Sequence, residues 1–301
     1  NLVLDDNKQR LDGFETITYT NNSPDRLDYL WLQLDQNIYD ENSDTKLIEV
    51  EKMENFKSVG DLRKRDFKYD GGFKIEQITS TSGQKMNYFI NKTMMRIDLA
   101  KPLLPGQSIS FQIKWWYNIN DRMQVGGRSG YEYFETDQNY LYTIAQFFPR
   151  MCVYNDVTGW QNKQFLGRGE FTLPFGDYEV SLTVPADHVV AATGECQNYA
   201  SILSAEQRKR YELAKKSNSP VLIVTQAEAE AAEKNKSTQT KTWIYKATNV
   251  RDFAFATSRK FIWDAQNQTV GSKKCIVHEL LSKRRQPTLG TLFNKISSTH
   301  H

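Results

Sequence analysis

Hydrophobic and polar residues alternate along much of this chain, with the period of two that is typical of half-buried β-strands. In the clearest case, residues 108–117, Ile109, Phe111, Ile113 and Trp115 share one face. Similar segments are separated by Gly, Pro, Asn and Asp, which favour turns. These segments are residues 14–20, 28–34, 73–78, 88–90, 94–99, 178–184, 241–246 and 252–255. The pattern predicts a mainly β fold built from antiparallel sheets.

Two polar segments have a helical composition instead. Residues 203–216 contain Ser204 as a candidate N-cap followed by strong helix formers, and residues 226–234 are rich in Ala and Glu. We therefore expect a small helical insertion over about 203–235. Residues 40–68 are polar and charged, which predicts a loop with at most one short helix around residues 58–64.

A hairpin is predicted around residues 178–194. The strand pattern of residues 178–184 stops at Pro185, and residues 188–192 form a second apolar run after the turn residues Ala186 and Asp187. This arrangement predicts that His188 lies on the surface of the turn.

Composition restricts the classes of function. The chain has 301 residues, 39% of them hydrophobic, and a net charge of +3. Its basic residues are spread along the chain except in the last thirty or so residues, which argues against nucleic acid as a partner. No apolar run approaches the ~18 residues that span a bilayer. The chain begins at Asn1 without a Met or a signal-like run, so we expect an internal piece of a longer protein.

The cysteines do not suggest a metal cluster. Cys152, Cys196 and Cys275 are odd in number and have no C-x-x-C spacing. We expect Cys152 and Cys196 to be buried free thiols, although they could pair in an exported protein. The glycine-rich segment 123–130 lacks the spacing of a phosphate-binding loop and the helix that should follow it.

One segment is unusual for a plain strand. Gln146 lies between two apolar runs and is followed by Phe147, Phe148, Pro149 and Arg150. We regard this as the place in the chain where a ligand contact is expected.

Three longer segments carry a resemblance to a known family. They are F-G-D-Y-E-V-S-L-T-V-P-A-D-H-V-V-A-A-T-G, V-R-D-F-A-F-A-T-S-R-K-F and T-Y-T-N-N-S-P-D-R-L-D-Y-L-W-L-Q-L-D-Q-N-I-Y. Residues 14–265 resemble the amino-terminal β domain of the aminopeptidase N-like zinc metallopeptidases, the gluzincin aminopeptidases, in their bacterial branch. The resemblance implies a saddle-shaped antiparallel β-sandwich, residues 1–265, that packs against a catalytic domain.

The resemblance also implies a zinc-dependent peptide hydrolase, yet the zinc motif is missing from this chain. The family holds zinc with an H-E-x-x-H helix whose Glu acts as general base. His278 and Glu279 resemble the start of that motif, but Ser282 stands where the second histidine is needed. We therefore expect no metal site and no catalytic residue here, with zinc belonging to the full-length enzyme, and we expect the chain alone to be inactive.

One substrate contact is carried over from the family. There a Gln or Glu of this domain reaches the amino end of the peptide substrate, and Gln146, four residues before Arg150, is the matching position. Phe147 and Phe148 would help to hold the substrate. Ile144 and Ala145 depart from the usual family pattern, and Gln146 as a hydrogen-bonded residue at a domain interface remains open. Arg150 is expected to be structural, in a salt bridge across strands.

The resemblance stops near Gly271. Residues 266–301 would be the start of the catalytic domain, and from Gly271 the chain is basic and without a usable period. We expect disorder there. Codons compatible with residues 278–301, read one nucleotide further along, contain the phrase Y-Y-P-K-E-G-N-P-L-W that is expected at the start of the bacterial catalytic domain. We therefore hypothesise a frameshift near residues 271–274, which the nucleotide sequence would test.

The expected partners are a catalytic domain, absent from this truncated chain, and a peptide substrate. An exported location, periplasmic or extracellular, is favoured over the cytoplasm. The alternative is a free-standing β-sandwich module that binds peptides or glycans. Its aromatic platform would consist of Tyr131, Tyr133, Phe134, Trp115 and Trp116.

Overall fold

The computed structural model describes residues 1–45, 69–167, 169 and 172–282. The part of the residues 40–68 loop from residue 46 onward, including the helix predicted around residues 58–64, lies outside the described residues. The strands of the described part are, in chain order, β1 Leu2–Asp5, β2 Arg10–Thr20, β3 Leu27–Gln33, β4 Lys74–Ser80, β5 Tyr88–Asn91, β6 Met94–Leu103, β7 Ser108–Asn118, β8 Gly130–Phe134, β9 Asn139–Ile144, β10 Arg150–Met151, β11 Tyr154–Asn155, β12 Gly159–Trp160, β13 Gly176–Pro185, β14 Val189–Ala192, β15 Glu195–Cys196, β16 Val221–Val224, β17 Thr240–Val250, β18 Phe255–Ser258, β19 Ile262–Val270 and β20 Lys273–Leu281.

The largest sheet has seven strands in the order β15-β17-β13-β1-β2-β7-β4. Adjacent strands of this sheet run antiparallel, except for β1 and β13, which run parallel to each other. The face predicted for residues 108–117 is confirmed, because Phe111, Ile113 and Trp115 are buried. Tyr117 continues the same buried row. The mainly β fold predicted by the alternating pattern is therefore present.

Trp115 needs a glycine on the neighbouring strand. Gly13 lies next to Trp115 in the register of β2 and β7. A Cβ atom at Gly13 would lie 2.2 Å from an atom of the indole ring, which is closer than any real carbon contact. The absence of a side chain at this position lets the largest side chain of the row lie flat on the sheet.

Two four-stranded sheets, a three-stranded sheet and a ribbon complete the β structure. Their orders are β10-β3-β6-β5, β14-β18-β9-β8, β16-β19-β20 and β11-β12. One continuous buried cluster joins the seven-stranded sheet to its neighbours; it includes Leu30 of β3, Ile113 of β7, Tyr142 of β9, Leu182 of β13 and Phe255 of β18. The site described below lies where these sheets meet.

The hairpin predicted around residues 178–194 is wrong. β13 pairs with β17 and β1, whereas β14 pairs with β18 of a different sheet. The chain therefore passes from one sheet to another at Pro185 instead of folding back. His188, predicted on the surface, is fully buried at this crossing. Two apolar runs joined by a turn have the same sequence pattern whether they pair with each other or each pairs with a distant strand.

The described helices are few and short: a 3₁₀ helix Asp35–Tyr39 and α-helices α1 Arg122–Val125, α2 Tyr199–Ile202, α3 Ala205–Ala214 and α4 Gln226–Asn235. Helix α3 begins after Ser204, whose side chain accepts a hydrogen bond from the N–H of Gln207, so the predicted N-cap is confirmed. Arg210 of α3 bonds Glu228 of α4 through two nitrogens, at 2.6 and 2.9 Å. The segment from Asp121 contains the short helix α1.

The segment after Gly271 differs from the expectation of disorder. β19 and β20 form a continuous antiparallel hairpin, with Val270 opposite Lys273 and Ile262 opposite Leu281. Strands pair through backbone hydrogen bonds, which do not require an alternating sequence. This explains why the composition did not predict the hairpin. Residues 283–301 lie outside the described residues. Of the helices in the described part of the chain, none has the length and apolar character that crossing a membrane requires.

Candidate functional site

Gln146 lies in the connection between two sheets. β9 ends at Ile144 and β10 begins at Arg150. The backbone of Gln146 is left-handed, with φ of 54°, a conformation that is uncommon for residues other than glycine. Its carbonyl oxygen accepts a hydrogen bond of 3.0 Å from Nε2 of Gln36, and the N–H of Ala145 donates to Oγ of Ser129 at 3.1 Å. These bonds hold the backbone and leave the side chain of Gln146 partly exposed.

The side chain of Gln146 borders a cavity of about 350 Å³. Its described lining is Gln33, Arg128, Gln146, Arg150, Phe165, Thr172, Leu173, Arg251 and Asp252. Within this lining, Asp252 carries the one carboxylate, facing three guanidinium groups. Arg128, Arg251 and Asp252 are far from Gln146 in sequence, and no pattern in the sequence connects them to it.

Arg150 connects the site to the 3₁₀ helix, through Asp35, and to the segment between β17 and β18, through Asp252. Its Nη2 lies 2.7 Å from Oδ1 of Asp35, and its Nε donates to Oδ2 of the same carboxylate at 2.9 Å. Its Nη1 lies 2.7 Å from Oδ2 of Asp252. The salt bridge predicted for Arg150 is therefore confirmed, but its partners lie in the 3₁₀ helix and between β17 and β18, not on strands. Burial raises the pKa of Asp35 to about 6, although the adjacent guanidinium favours the charged carboxylate.

Phe147 lies inside the core. It is 2% exposed, and its ring centroid lies 4.9 Å from that of Phe148 and 5.3 Å from that of Phe255. Its contacts are those of a packing residue. Phe148 is less buried and lies against Tyr178, with ring centroids 5.9 Å apart.

The residues that resemble the zinc motif do not fit a zinc ion. His278 and Glu279 are on strand β20, where successive side chains point to opposite faces. Trp263 Nε1 donates to Nδ1 of His278 at 3.1 Å, and the imidazole stacks on Tyr211. Within the described part of the chain, no group of three or more His, Cys, Asp and Glu side chains is arranged to hold a metal.

A second buried polar cluster was not predicted from the sequence. Nη2 of Arg259 lies 2.8 Å from Oδ2 of Asp6, and its Nε lies 3.0 Å from Oδ2 of Asp187. Nδ1 of His188 lies 3.2 Å from Oγ1 of Thr257. Burial lowers the pKa of His188 to about 4, and the nearby carboxylate of Asp6 opposes this shift. His188 is therefore neutral near pH 7, inside a network that joins three distant parts of the chain.

The two thiols that were expected to be buried differ in their exposure, and so do the aromatic residues of the predicted platform. Cys152 is a buried free thiol, as predicted, whereas Cys196 is partly buried. Trp115 is 1% exposed and belongs to the core. Tyr133 is 43% exposed, and its ring lies 4.8 Å from that of Tyr140.

Comparison with known proteins gives structural neighbours alone. No protein-family model matches the sequence, and no curated protein matches it. Three similar solved structures are an M1 zinc metallopeptidase from Deinococcus radiodurans, a mutant of it bound to a Tyr-Ser-Ala substrate, and a mutant two-domain M1 zinc metallopeptidase bound to L-tryptophan. Each has 11% sequence identity and a TM-score of 0.49.

The coverage of these matches is uneven. They include 96 to 97% of this chain and 47 to 50% of the solved chains, so this chain spans about half the length of those proteins. At this identity and TM-score the likeness transfers no functional residue to this chain.

Proposed function

We propose that this chain is the non-catalytic amino-terminal domain of a zinc aminopeptidase, which packs on a catalytic domain and holds the amino end of a peptide through Gln146. The observation that supports the role of Gln146 is its position at the cavity, on a backbone anchored by Gln36 and by the ion pairs of Arg150. A side chain on an anchored backbone can hold a ligand group in a defined place.

The chemistry of the cavity suggests how an ammonium group would bind. The amide oxygen of Gln146 can accept a hydrogen bond from it, and the carboxylate of Asp252 supplies the opposite charge. The guanidinium groups of Arg128 and Arg251 repel a free cation, so the ammonium is expected on the side of the cavity next to Asp252. The adjacent arginines would favour a carbonyl or carboxylate of the same ligand.

Two measurements test this proposal. The first incubates the 301-residue protein with zinc and aminoacyl chromogenic substrates, where no metal-dependent turnover is expected. The second uses ligand-observed NMR to compare a short peptide that has a free amino end with its N-acetylated form. We expect the free form to bind more tightly and Gln146→Gly to remove the difference. Turnover of the substrates, or equal binding of the two peptides, would overturn the proposal.

A second candidate function is a glycan- or peptide-binding module. The exposed Tyr133 and its contact with Tyr140 favour it, because neighbouring tyrosine rings at a surface can bind sugar rings or extended peptides. Titration with oligosaccharides, monitored by tyrosine fluorescence and compared with Tyr133→Ala, would distinguish it. A response that Tyr133→Ala abolishes would support this module.

A further inference from the structure

Arg251 and Asp252 are consecutive residues of opposite charge that border the same cavity as Gln146. In a straight strand, successive side chains point to opposite faces. Here β17 ends just before Arg251, where the chain bends, and both side chains reach the cavity. The bend follows Asn249, whose backbone has a φ of 54° and whose N–H donates to Oδ1 of Asp177 at 2.8 Å. The segment that carries the two charges is therefore anchored where it leaves β17.

Asp252 is the negative end of this arrangement. Its Oδ2 lies 2.7 Å from Nη1 of Arg150, and its Oδ1 accepts a hydrogen bond of 2.9 Å from the N–H of Phe253. Arg150 is also bound to Asp35. One guanidinium group thus serves two carboxylates, which leaves an excess of negative charge. The side chain of Asp252 is 37% exposed and that of Asp35 is 1% exposed, so a ligand can reach this excess at Asp252.

Arg251 is the positive end. Within the described part of the chain, its guanidinium group contacts an aromatic ring and not a carboxylate: Cζ lies 4.6 Å from the ring centroid of Phe175. An arginine over an aromatic ring is restricted in its motion, and its N–H groups remain available because they lie in the plane of the guanidinium. Arg128 borders the same cavity and already interacts with another residue. Arg251 is therefore well placed to bind a carboxylate of a ligand.

The two ends fit a ligand that carries an ammonium group and a carboxylate close together. The Cα atoms of Arg251 and Asp252 are ~3.8 Å apart, as for any two consecutive residues. Their partners are therefore best supplied by a single ligand residue. In a peptide, the α-carboxyl group of the first residue is an amide and carries no charge. The carboxylate next to the amino end must then belong to the side chain of that residue.

We propose that the cavity selects peptides whose first residue is aspartate or glutamate. The ammonium group of that residue lies next to Gln146 and Asp252, and its side-chain carboxylate binds two N–H donors of Arg251. A basic first residue is disfavoured, because its side chain has the same charge as Arg251. This inference rests on the proposed function, since it concerns the ligand whose amino end Gln146 holds.

The test compares three peptide amides, Glu-Ala-Ala, Gln-Ala-Ala and Lys-Ala-Ala, in ligand-observed NMR titrations with the 301-residue protein. Glutamate and glutamine side chains have nearly the same shape, so the first two peptides isolate the effect of the carboxylate charge. Because Arg251 is exposed, the ion pair is accessible to water. We expect the Glu peptide to bind about fivefold more tightly than the Gln peptide, and the Lys peptide to bind more weakly than both.

Arg251→Gln should make the Glu and Gln peptides bind equally, and it should keep the preference for a free over an acetylated amino end. Arg26→Gln is the matched control, since it removes the same charge from an exposed arginine outside the described lining of the cavity. This control should keep the fivefold difference. Circular dichroism of both variants checks that they are folded.

Free L-alanine distinguishes a side-chain carboxylate from an α-carboxylate, because its carboxylate adjoins its ammonium group. We expect it to bind no more tightly than the amide of Ala-Ala-Ala. If alanine binds as tightly as the Glu peptide and loses this binding in Arg251→Gln, the cavity accepts free amino acids and the inference is overturned.

Acetylated forms of the Glu and Gln peptides separate the selection of an acidic residue from the amino-end contact. If the free Glu and Gln peptides bind equally and both bind more tightly than their acetylated forms, acid selection is overturned and the amino-end contact of Gln146 stands. If free and acetylated forms bind equally, or if no peptide binds, the proposed function is overturned together with acid selection. A preference for the Glu peptide that persists in Arg251→Gln would overturn the role of Arg251.

Discussion

Nη2 of Arg150 lies 2.7 Å from Oδ1 of Asp35, and both side chains are almost completely buried, with exposures of 7% and 1%. This contact joins the segment of Gln146 to the 3₁₀ helix that follows β3. It therefore links the site that the sequence indicates to a part of the chain more than a hundred residues away.

Loss of Arg150 should destabilise the protein strongly. Arg150→Met leaves the carboxylate of Asp35 buried without its cation, so we expect the free energy of unfolding to fall by about 3 to 5 kcal/mol. Urea denaturation measures this change. As a control, Arg26→Met removes a solvent-exposed arginine that pairs with Asp28 and should change stability by less than about 1 kcal/mol. Equal effects of the two substitutions would contradict the buried ion pair.

His188 should make the protein sensitive to acid. Burial lowers the pKa of His188 from 6.5 to about 4, so the folded state keeps it neutral while the unfolded state binds a proton below pH 6.5. The stabilisation is complete above pH 6.5 and is lost as the pH falls to about 4, by up to about 3 kcal/mol. Urea denaturation between pH 7 and 4 should give a shallower loss for His188→Gln than for the wild type. The same slope in both would show that other groups cause the acid sensitivity.

The left-handed backbone at Gln146 predicts an unusual response to glycine. Gln146→Gly relieves the steric conflict of a side chain at φ of 54°, whereas Gln146→Ala keeps it. We expect the glycine variant to be about 1 kcal/mol more stable than the alanine variant, which thermal unfolding measures. Greater stability of the alanine variant would contradict the left-handed conformation. The glycine variant is consequently the better one for the peptide-binding experiment.

Asp264 and Glu279 lie directly opposite each other on β19 and β20. Burial, and then the charge of Glu279, raises the pKa of Asp264 to about 6. A raised carboxyl pKa means that the stabilisation is complete below pH 3.8 and is lost as the pH rises through about 6. We therefore expect Asp264→Asn to raise the free energy of unfolding at pH 7, by up to about 3 kcal/mol.

A double-mutant cycle separates the repulsion in this pair from other effects. Glu279→Gln should also stabilise the protein at pH 7, and the double variant should gain less than the sum of the two single changes. Additive effects would mean that the two carboxyl groups do not interact.

Local patterns predicted the elements better than their partners. The inward face of β7 and the N-cap Ser204 follow from the order of residues over a few positions, since the period of two and the capping hydroxyl act within one element. The pairing of β14 with β18 connects residues more than sixty positions apart, and nothing in the local sequence selects β18 over β13.

The sequence by itself determined the mainly β class, the two polar helices and the family that the chain resembles, because these depend on composition, period and motif. Tertiary structure decided which residues meet. It placed Gln146 beside Arg251 and Asp252, and it buried Phe147 and His188. These features depend on strand pairing and close packing between distant segments, and the energy of such contacts is not written in any one stretch of the chain.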